Sequence, residues 1–254
     1  MPQQYINSKL LLSCSLVLSL ILTANTAIAT YKPPERPSRP KTATGSNSSR
    51  TNECSGSPNI SLTALAPFSH VGQTASLQPT FAWFAPNAQG REIEFSLYEY
   101  VDGKVKLIYK TQTQSSPGII KFSLADKKIS LTVGNKYLWQ VALLCNPNHP
   151  SEDLLVRAEV EVVEMPISFK NALLRTKEIP QRSKLYAEQG LWYDALAETL
   201  MNSVNKASTL NLLLELSKLE LEETNKITEP TRKKDLEQQA SRLQQVVTVE
   251  KVLK

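Results

Sequence analysis

The chain is poor in the residues from which catalytic and metal centres are usually assembled. Two histidines and three cysteines are spread over 254 residues, and no local spacing joins them into a zinc ligand set. Its eight glycines form no phosphate-cradling loop, and neither a nucleophile elbow nor a helical paired-histidine motif occurs. A bilayer-spanning run is lacking as well. The apolar stretch Leu10–Leu22 has 13 residues, against the roughly 20 a spanning helix needs. Single-signed charge is confined to one place. Residues 30–59 set Lys32, Arg36, Arg39, Lys41 and Arg50 against Glu35 and Glu53, which is +3 of a formal +5. The pI of about 9.0 therefore reports a basic tail on a nearly neutral body, and no nucleic-acid partner is expected.

What is present begins with a targeting segment. Lys9 is the only charge in the first 29 residues, Leu10–Leu22 follows, and Ala27-Ile28-Ala29 offers small residues where a signal peptidase reads them. Cleavage after Ala29 is expected, giving a secreted or periplasmic protein with no transmembrane segment. Cys14 leaves with the signal peptide. Cys54 and Cys145 remain, and in an exported chain such a pair reads as one disulfide, with two buried thiols as the alternative. Closing that loop of about 91 residues contributes roughly 4 kcal/mol in the chain-entropy model. Residues 30–59 are rich in Pro, Ser and Arg and nearly devoid of large apolar side chains. They are expected to form a disordered tether, either solvated or touching an acidic polymer.

From 60 to 165 the hydrophobic period is two. Ile93, Phe95 and Leu97 alternate with Glu92, Glu94 and Ser96, and Val156, Ala158, Val160 and Val162 alternate with Arg157, Glu159 and Glu161. Asp102-Gly103 between two strand-like runs marks a hairpin. Leu131, Gly134 and Tyr137 stand in the order of a tyrosine corner, and Tyr137, Trp139, Val141, Leu143 and Cys145 share one strand face. PTFAWFAP, bounded by Pro79 and Pro86, suits an edge or terminal strand. The pattern resembles an immunoglobulin or fibronectin III-like sandwich, with Trp83 and Trp139 in its core.

After Pro166 the period becomes helical, with helices expected near 167–177, 180–189, 191–204, 208–225 and 230–252. KLYAEQGLWYDALAETL resembles one tetratricopeptide-like hairpin occupying part of residues 166–226, with no second copy at that period. In its second helix Trp192, Leu196 and Leu200 make a buried stripe, Tyr193 keeps its hydroxyl wet at the edge, and Asp194 sits in the first turn. In 227–254 a helix carries the narrow stripe Leu236, Ala240, Leu243 and Val247, free either to dock on the body or to make an oligomer with a second chain. The expected fold class is thus α+β, an N-terminal antiparallel β-sandwich followed by an α-helical segment.

Six ordered stretches carry a family resemblance: YKPPERP after the signal peptide, LTALAP at 62–67, PTFAWFAP at 79–86, SPGIIKFSL at 116–124, LTVGNKYLWQVALLCNP at 131–147 and YAEQGLWYDAL at 186–196. Together they resemble the cyanobacterial exported family catalogued as domain of unknown function 928. The tether departs from the Gly-rich run associated with that family, and the chain beyond about 225 reads as an extension. The resemblance implies export and brings no activity with it.

Function is therefore read as a non-enzymatic interaction or assembly module of the cell envelope, with an envelope protein as partner. A carbohydrate-binding module taking polysaccharide is the alternative, and a hydrolase comes last. No catalytic residue, metal ligand or cofactor is assigned. His70 and His149 are read as exposed loop histidines, although Asp153 stands four residues from His149. The candidate interaction surfaces are Asn146, Asn148 and His149 in the loop 146–153 beside the expected disulfide, and the exposed side of the helical hairpin, while Tyr98 and Tyr100 on the outer sheet face, with Tyr109, would make the platform of a sugar-binding module.

Overall fold

The computed structural model describes residues 31–41, 61–86, 90–145, 151, 153–201 and 205–252. Eight strands precede five helices: β1 (Thr63–Ala64), β2 (Gly72–Thr74), β3 (Thr80–Ala85), β4 (Glu92–Val101), β5 (Lys104–Gln114), β6 (Gly118–Ser123), β7 (Lys136–Leu144), β8 (Leu154–Val162), then α1 (Ile167–Arg175), α2 (Ile179–Glu188), α3 (Trp192–Thr199), α4 (Lys206–Thr224) and α5 (Pro230–Val252). The α+β class is as expected.

The strands form two sheets, in the orders β1-β3-β6 and β2-β8-β7-β4-β5. The expectation of purely antiparallel pairing needs one correction, because β2 runs parallel to β8. A second correction concerns PTFAWFAP. It is the central strand of its sheet, since Pro79 and Pro86 lie just outside β3 and remove no ladder N–H from it. Aromatic rings fill the space between the sheets. Phe81 of β3 meets Phe95 of β4 at 5.6 Å and Trp139 of β7 at 5.4 Å, and Phe95 stacks on Phe122 of β6 at 4.3 Å. Burying each such ring contributes on the order of 2 kcal/mol.

Local chemistry explains the turns. Asp102 and Gly103, with φ of 49° and 78°, turn β4 into β5. The tyrosine corner forms: the Thr132 N–H donates to the Tyr137 hydroxyl at 3.0 Å, and Gly134 takes φ of 84°. Between α2 and α3, Gly190 adopts φ of 77°, its N–H donates to the Ala187 carbonyl, and the Leu191 N–H donates to that of Tyr186. That pair of bonds is a Schellman ending, which favours glycine at this point.

The stripe on α5 docks on the body of its own chain, one of the two outcomes its sequence allowed. Leu236, Ala240, Leu243 and Val247 are buried, and α5 packs on α4 and β1. The Gln239 side-chain amide donates to the Ala64 and Ala66 carbonyls at 2.9 and 3.3 Å.

Residues 31–41, expected within a disordered tether, instead form an ordered strap. Tyr31 is buried against Trp192, edge to face at 5.0 Å. The Lys32 N–H donates to the Ala187 carbonyl, the Val71 N–H to that of Ser38, and the Lys41 N–H to the Glu159 carboxylate at 2.7 Å. One aromatic anchor and backbone bonds suffice where composition predicted none. The rest of that segment, residue 30 and residues 42–59, lies outside the described residues.

Candidate functional site

The Trp192–Tyr193–Asp194 triplet fastens the helical hairpin to the sheets. The Trp192 indole N–H donates to the Leu65 carbonyl at 2.9 Å, the Tyr193 hydroxyl to the Glu159 carbonyl at 2.9 Å, and Asp194 accepts from the Ala75 N–H at 2.9 Å. Tyr193 is only 1% exposed, so the expectation of a wet hydroxyl fails: the Glu159 carbonyl takes the place of water. Burial pushes the Tyr193 phenol above its ordinary range and the Asp194 carboxyl up to about 6, against the hydrogen bonds the latter accepts.

A second polar cluster lies where the strap, the β1–β2 loop and α4 meet. His70 is 3% exposed, which overturns its reading as a solvent-facing loop residue, because Tyr31 of the strap covers it. Its Nε2 lies 2.7 Å from the Tyr31 hydroxyl and its Nδ1 2.8 Å from the Ser69 hydroxyl. Glu220 accepts from the Phe68 N–H at 2.8 Å and from the Ser69 N–H at 2.9 Å, with the Ser69 hydroxyl at 3.2 Å. Burial lowers the His70 imidazole to about 4 and raises the Glu220 carboxyl to about 7, with Arg232 and the bonds from Phe68 and Ser69 pulling Glu220 back. The serine hydroxyl lies between imidazole and carboxylate. A Ser-His-Asp triad has the imidazole in the middle, whereas here its far nitrogen is held by Tyr31. The cluster joins three chain segments.

Glu220 was not singled out from the sequence, although a signal existed. It continues the series Leu212, Leu216 at four-residue spacing, and so falls on the buried face of α4.

Beside this cluster opens a cleft of about 560 Å³ between the strap, the loop at Ser69, and the turn from α4 into α5. Arg39, Lys41, Lys226 and Arg232 line it, opposed by Glu229 and Asp235, and Ser69, Thr228 and Thr231 add hydroxyls.

The outer face of the five-stranded sheet carries the two expected tyrosines. Register places Glu159, Leu138, Tyr98 and Leu107 in one row across β8, β7, β4 and β5, with Tyr100 opposite Val105 beside it. Tyr98 and Tyr100 are half-buried. The Tyr100 hydroxyl donates to Glu159 at 2.8 Å, and the Lys41 ammonium sits 5.0 Å from the centre of its ring. β5 is an edge of this sheet, and its Val105, Leu107 and Ile108, with Val101 at the end of β4, are 38–48% exposed. Tyr109, by contrast, turns inward toward Phe122 at 6.0 Å.

Asn146, Asn148, His149 and Cys54 lie outside the described residues. Cys145 is half-buried at the end of β7, where its N–H donates to Asp153 at 2.9 Å and its carbonyl accepts from Arg91 at 2.6 Å. Among the described residues no group of three His, Cys, Asp or Glu side chains is placed to hold a metal ion, and no helix is long and apolar enough to cross a membrane.

A family model described as a Domain of Unknown Function, DUF928, matches residues 44–245. The match includes most of α5, so the chain beyond 225 is not the extension its sequence implied, while YKPPERP precedes the matched range. No curated protein matches the chain. Among solved structures, one titled as Astrotactin-2, a vertebrate-specific and perforin-like membrane protein involved in neuronal development, is similar at 10% identity and a TM-score of 0.28. That similarity covers 76% of this chain and 37% of the other, so the chain spans little more than a third of its length.

Proposed function

The chain belongs to the DUF928 family, whose description names no activity, and we propose that it is an exported, non-enzymatic interaction module that binds an envelope protein through the β5 edge and the tyrosine row beside it. Signal cleavage after Ala29 delivers it to the periplasm or beyond, where Cys54 and Cys145 pair. The body is an immunoglobulin or fibronectin III-like sandwich with one tetratricopeptide-like hairpin fastened to it.

One observation carries this reading. β5 is 11 residues long with largely exposed side chains, and its apolar residues continue the half-buried Tyr98 and Tyr100 to the open side of the sheet. Proteins guard such edges with lysines, and Lys104, Lys106 and Lys110 stand here. Lys110 is paired with Glu94 at 2.8 Å. An incoming strand gains main-chain hydrogen bonds from the edge and side-chain contacts from alternate residues. Lys104 and Lys106 select one that is apolar at the alternating positions and acidic between them.

Pull-down of the crosslinked mature protein from envelope extracts tests this. A defined protein partner should co-purify and be lost with Val105→Lys plus Leu107→Lys, while the melting temperature holds. Retention of the partner by that variant would remove the edge from the account. If Tyr98→Ala with Tyr100→Ala instead abolished retention on neutral envelope polysaccharide, the sheet face would be a sugar platform. Lys41 over the Tyr100 ring argues against that outcome.

A further inference from the structure

We infer that the cleft between the strap and the α4–α5 turn is a binding site for an acidic oligosaccharide, one whose sugars carry carboxylate or sulfate groups.

Charge is the first ground. Arg39 and Lys41 come from the strap, Lys226 from the turn after α4, and Arg232 from the first turn of α5, so three separate stretches of chain bring cations to one concavity. Against them in the lining stand Glu229 and Asp235, and Glu220 faces Arg232 from behind, so Arg39 and Lys41 are the cations that the strap adds to the concavity. Lys226 also pairs with Glu223 at 2.6 Å, with the lysine exposed and the carboxylate half-buried, where such a contact is partly screened by solvent. Arg39 and Lys41 belong to the basic segment 30–59, and the strap lays them against a body that is otherwise nearly neutral.

Geometry is the second ground. The Lys233 N–H donates to the Glu229 carbonyl at 3.0 Å, closing the first turn of the 23-residue helix α5. The amides of Thr231 and Arg232 precede that bond, at the helix end where partial positive charge collects. The Arg232 side chain also donates to the Phe68 carbonyl, which ties it to the loop carrying Ser69 and sets the position of its charge.

Size and chemistry are the third. About 560 Å³ lies within the range of sites for organic ligands and exceeds what one inorganic anion requires. The hydroxyls of Ser69, Thr228 and Thr231 line it with the cations. A sugar that bears both hydroxyls and anionic groups uses both sets, and a bare phosphate uses only one.

The site does not depend on the β5 edge. Among the described residues Lys41 is the one that touches both surfaces, so loss of either binding function leaves the other interpretable.

Calorimetric titration of the mature protein with oligogalacturonate, maltotriose and inorganic phosphate tests the inference. Oligogalacturonate should bind at about 50 mM salt and weaken severalfold at about 500 mM. Arg39→Glu with Lys226→Glu should reduce its affinity about tenfold or more, with an unchanged melting temperature, while Leu107→Lys should leave it intact. Maltotriose should not bind. Absence of oligogalacturonate binding, or binding insensitive to the double charge reversal, overturns the proposal. Phosphate binding as tightly as the oligosaccharide overturns it too, since the sugar would then contribute nothing.

Discussion

The indole N–H of Trp139 donates to the Tyr193 hydroxyl at 2.8 Å, and that hydroxyl donates onward to the Glu159 carbonyl at 2.9 Å. One strand side chain and one helix side chain are thereby bonded in the interior, with the Phe81 ring edge-on to Tyr193 at 5.6 Å. Tyr193→Phe keeps the ring and leaves a buried indole N–H and a carbonyl without this partner. The expected cost is about 2 kcal/mol, read as a melting temperature lower by roughly 5 °C with unchanged far-ultraviolet circular dichroism.

Gly190 has two reasons to stay glycine. Its φ is 77°, and a β-carbon there would stand 3.0 Å from the Pro34 nitrogen and 3.3 Å from the Lys32 carbonyl of the strap. Gly190→Ala is expected to cost about 1 kcal/mol or more and to loosen residues 31–41. Hydrogen exchange at Lys32 should accelerate in the variant, because its N–H is bonded to the Ala187 carbonyl beside the turn.

The buried His70 and Glu220 act in opposite directions with pH. His70, lowered from 6.5 to about 4, favours the folded state fully above pH 6.5, and that contribution is lost as pH falls toward 4. Glu220, raised from 4.5 to about 7, imposes no cost below pH 4.5 and a growing one as pH rises to 7. Each change corresponds to roughly 3 kcal/mol. In urea midpoints measured across pH, His70→Gln should remove the acid-side loss between 6.5 and 4. Glu220→Gln should relieve the loss between 4.5 and 7, leaving the smaller decline due to Asp194, which is raised to about 6.

Tyr31 is the strap's anchor. Tyr31→Ala removes a ring packed on Trp192 and the partner of His70 Nε2. It should cost about 3 kcal/mol or more and expose residues 31–41 to proteolysis, whereas Tyr31→Phe should cost about 1–2 kcal/mol and keep the strap seated. Equal protease sensitivity in both variants would assign the anchoring to the hydrogen bond instead.

Much of this architecture was legible because its signals are local. The period-two runs at Ile93–Leu97 and Val156–Val162, the Asp102-Gly103 turn, the Tyr137 corner and the helical stripe from Leu236 to Val247 depend on neighbours a few residues away. What escaped depends on contacts across the chain. The burial of His70 needs Tyr31, 39 residues earlier, and the Ser69–Glu220 bond of the same cluster spans 151 residues. The placement of Tyr31 illustrates the limit best. Composition marked its segment as unable to bury surface, and one ring in one slot beside Trp192 was enough. The parallel β2–β8 pairing likewise joins three residues to a strand some 88 positions away, beyond any local pattern.

The most direct test of the interaction account places a photo-crosslinking amino acid at Leu107 on the β5 edge, with Leu221, 39% exposed on α4, as the control position. In envelope extracts the account predicts one defined protein adduct from position 107, absent from 221 and lost when Val105→Lys is added. No adduct at 107, or the same adduct from both positions, would contradict it.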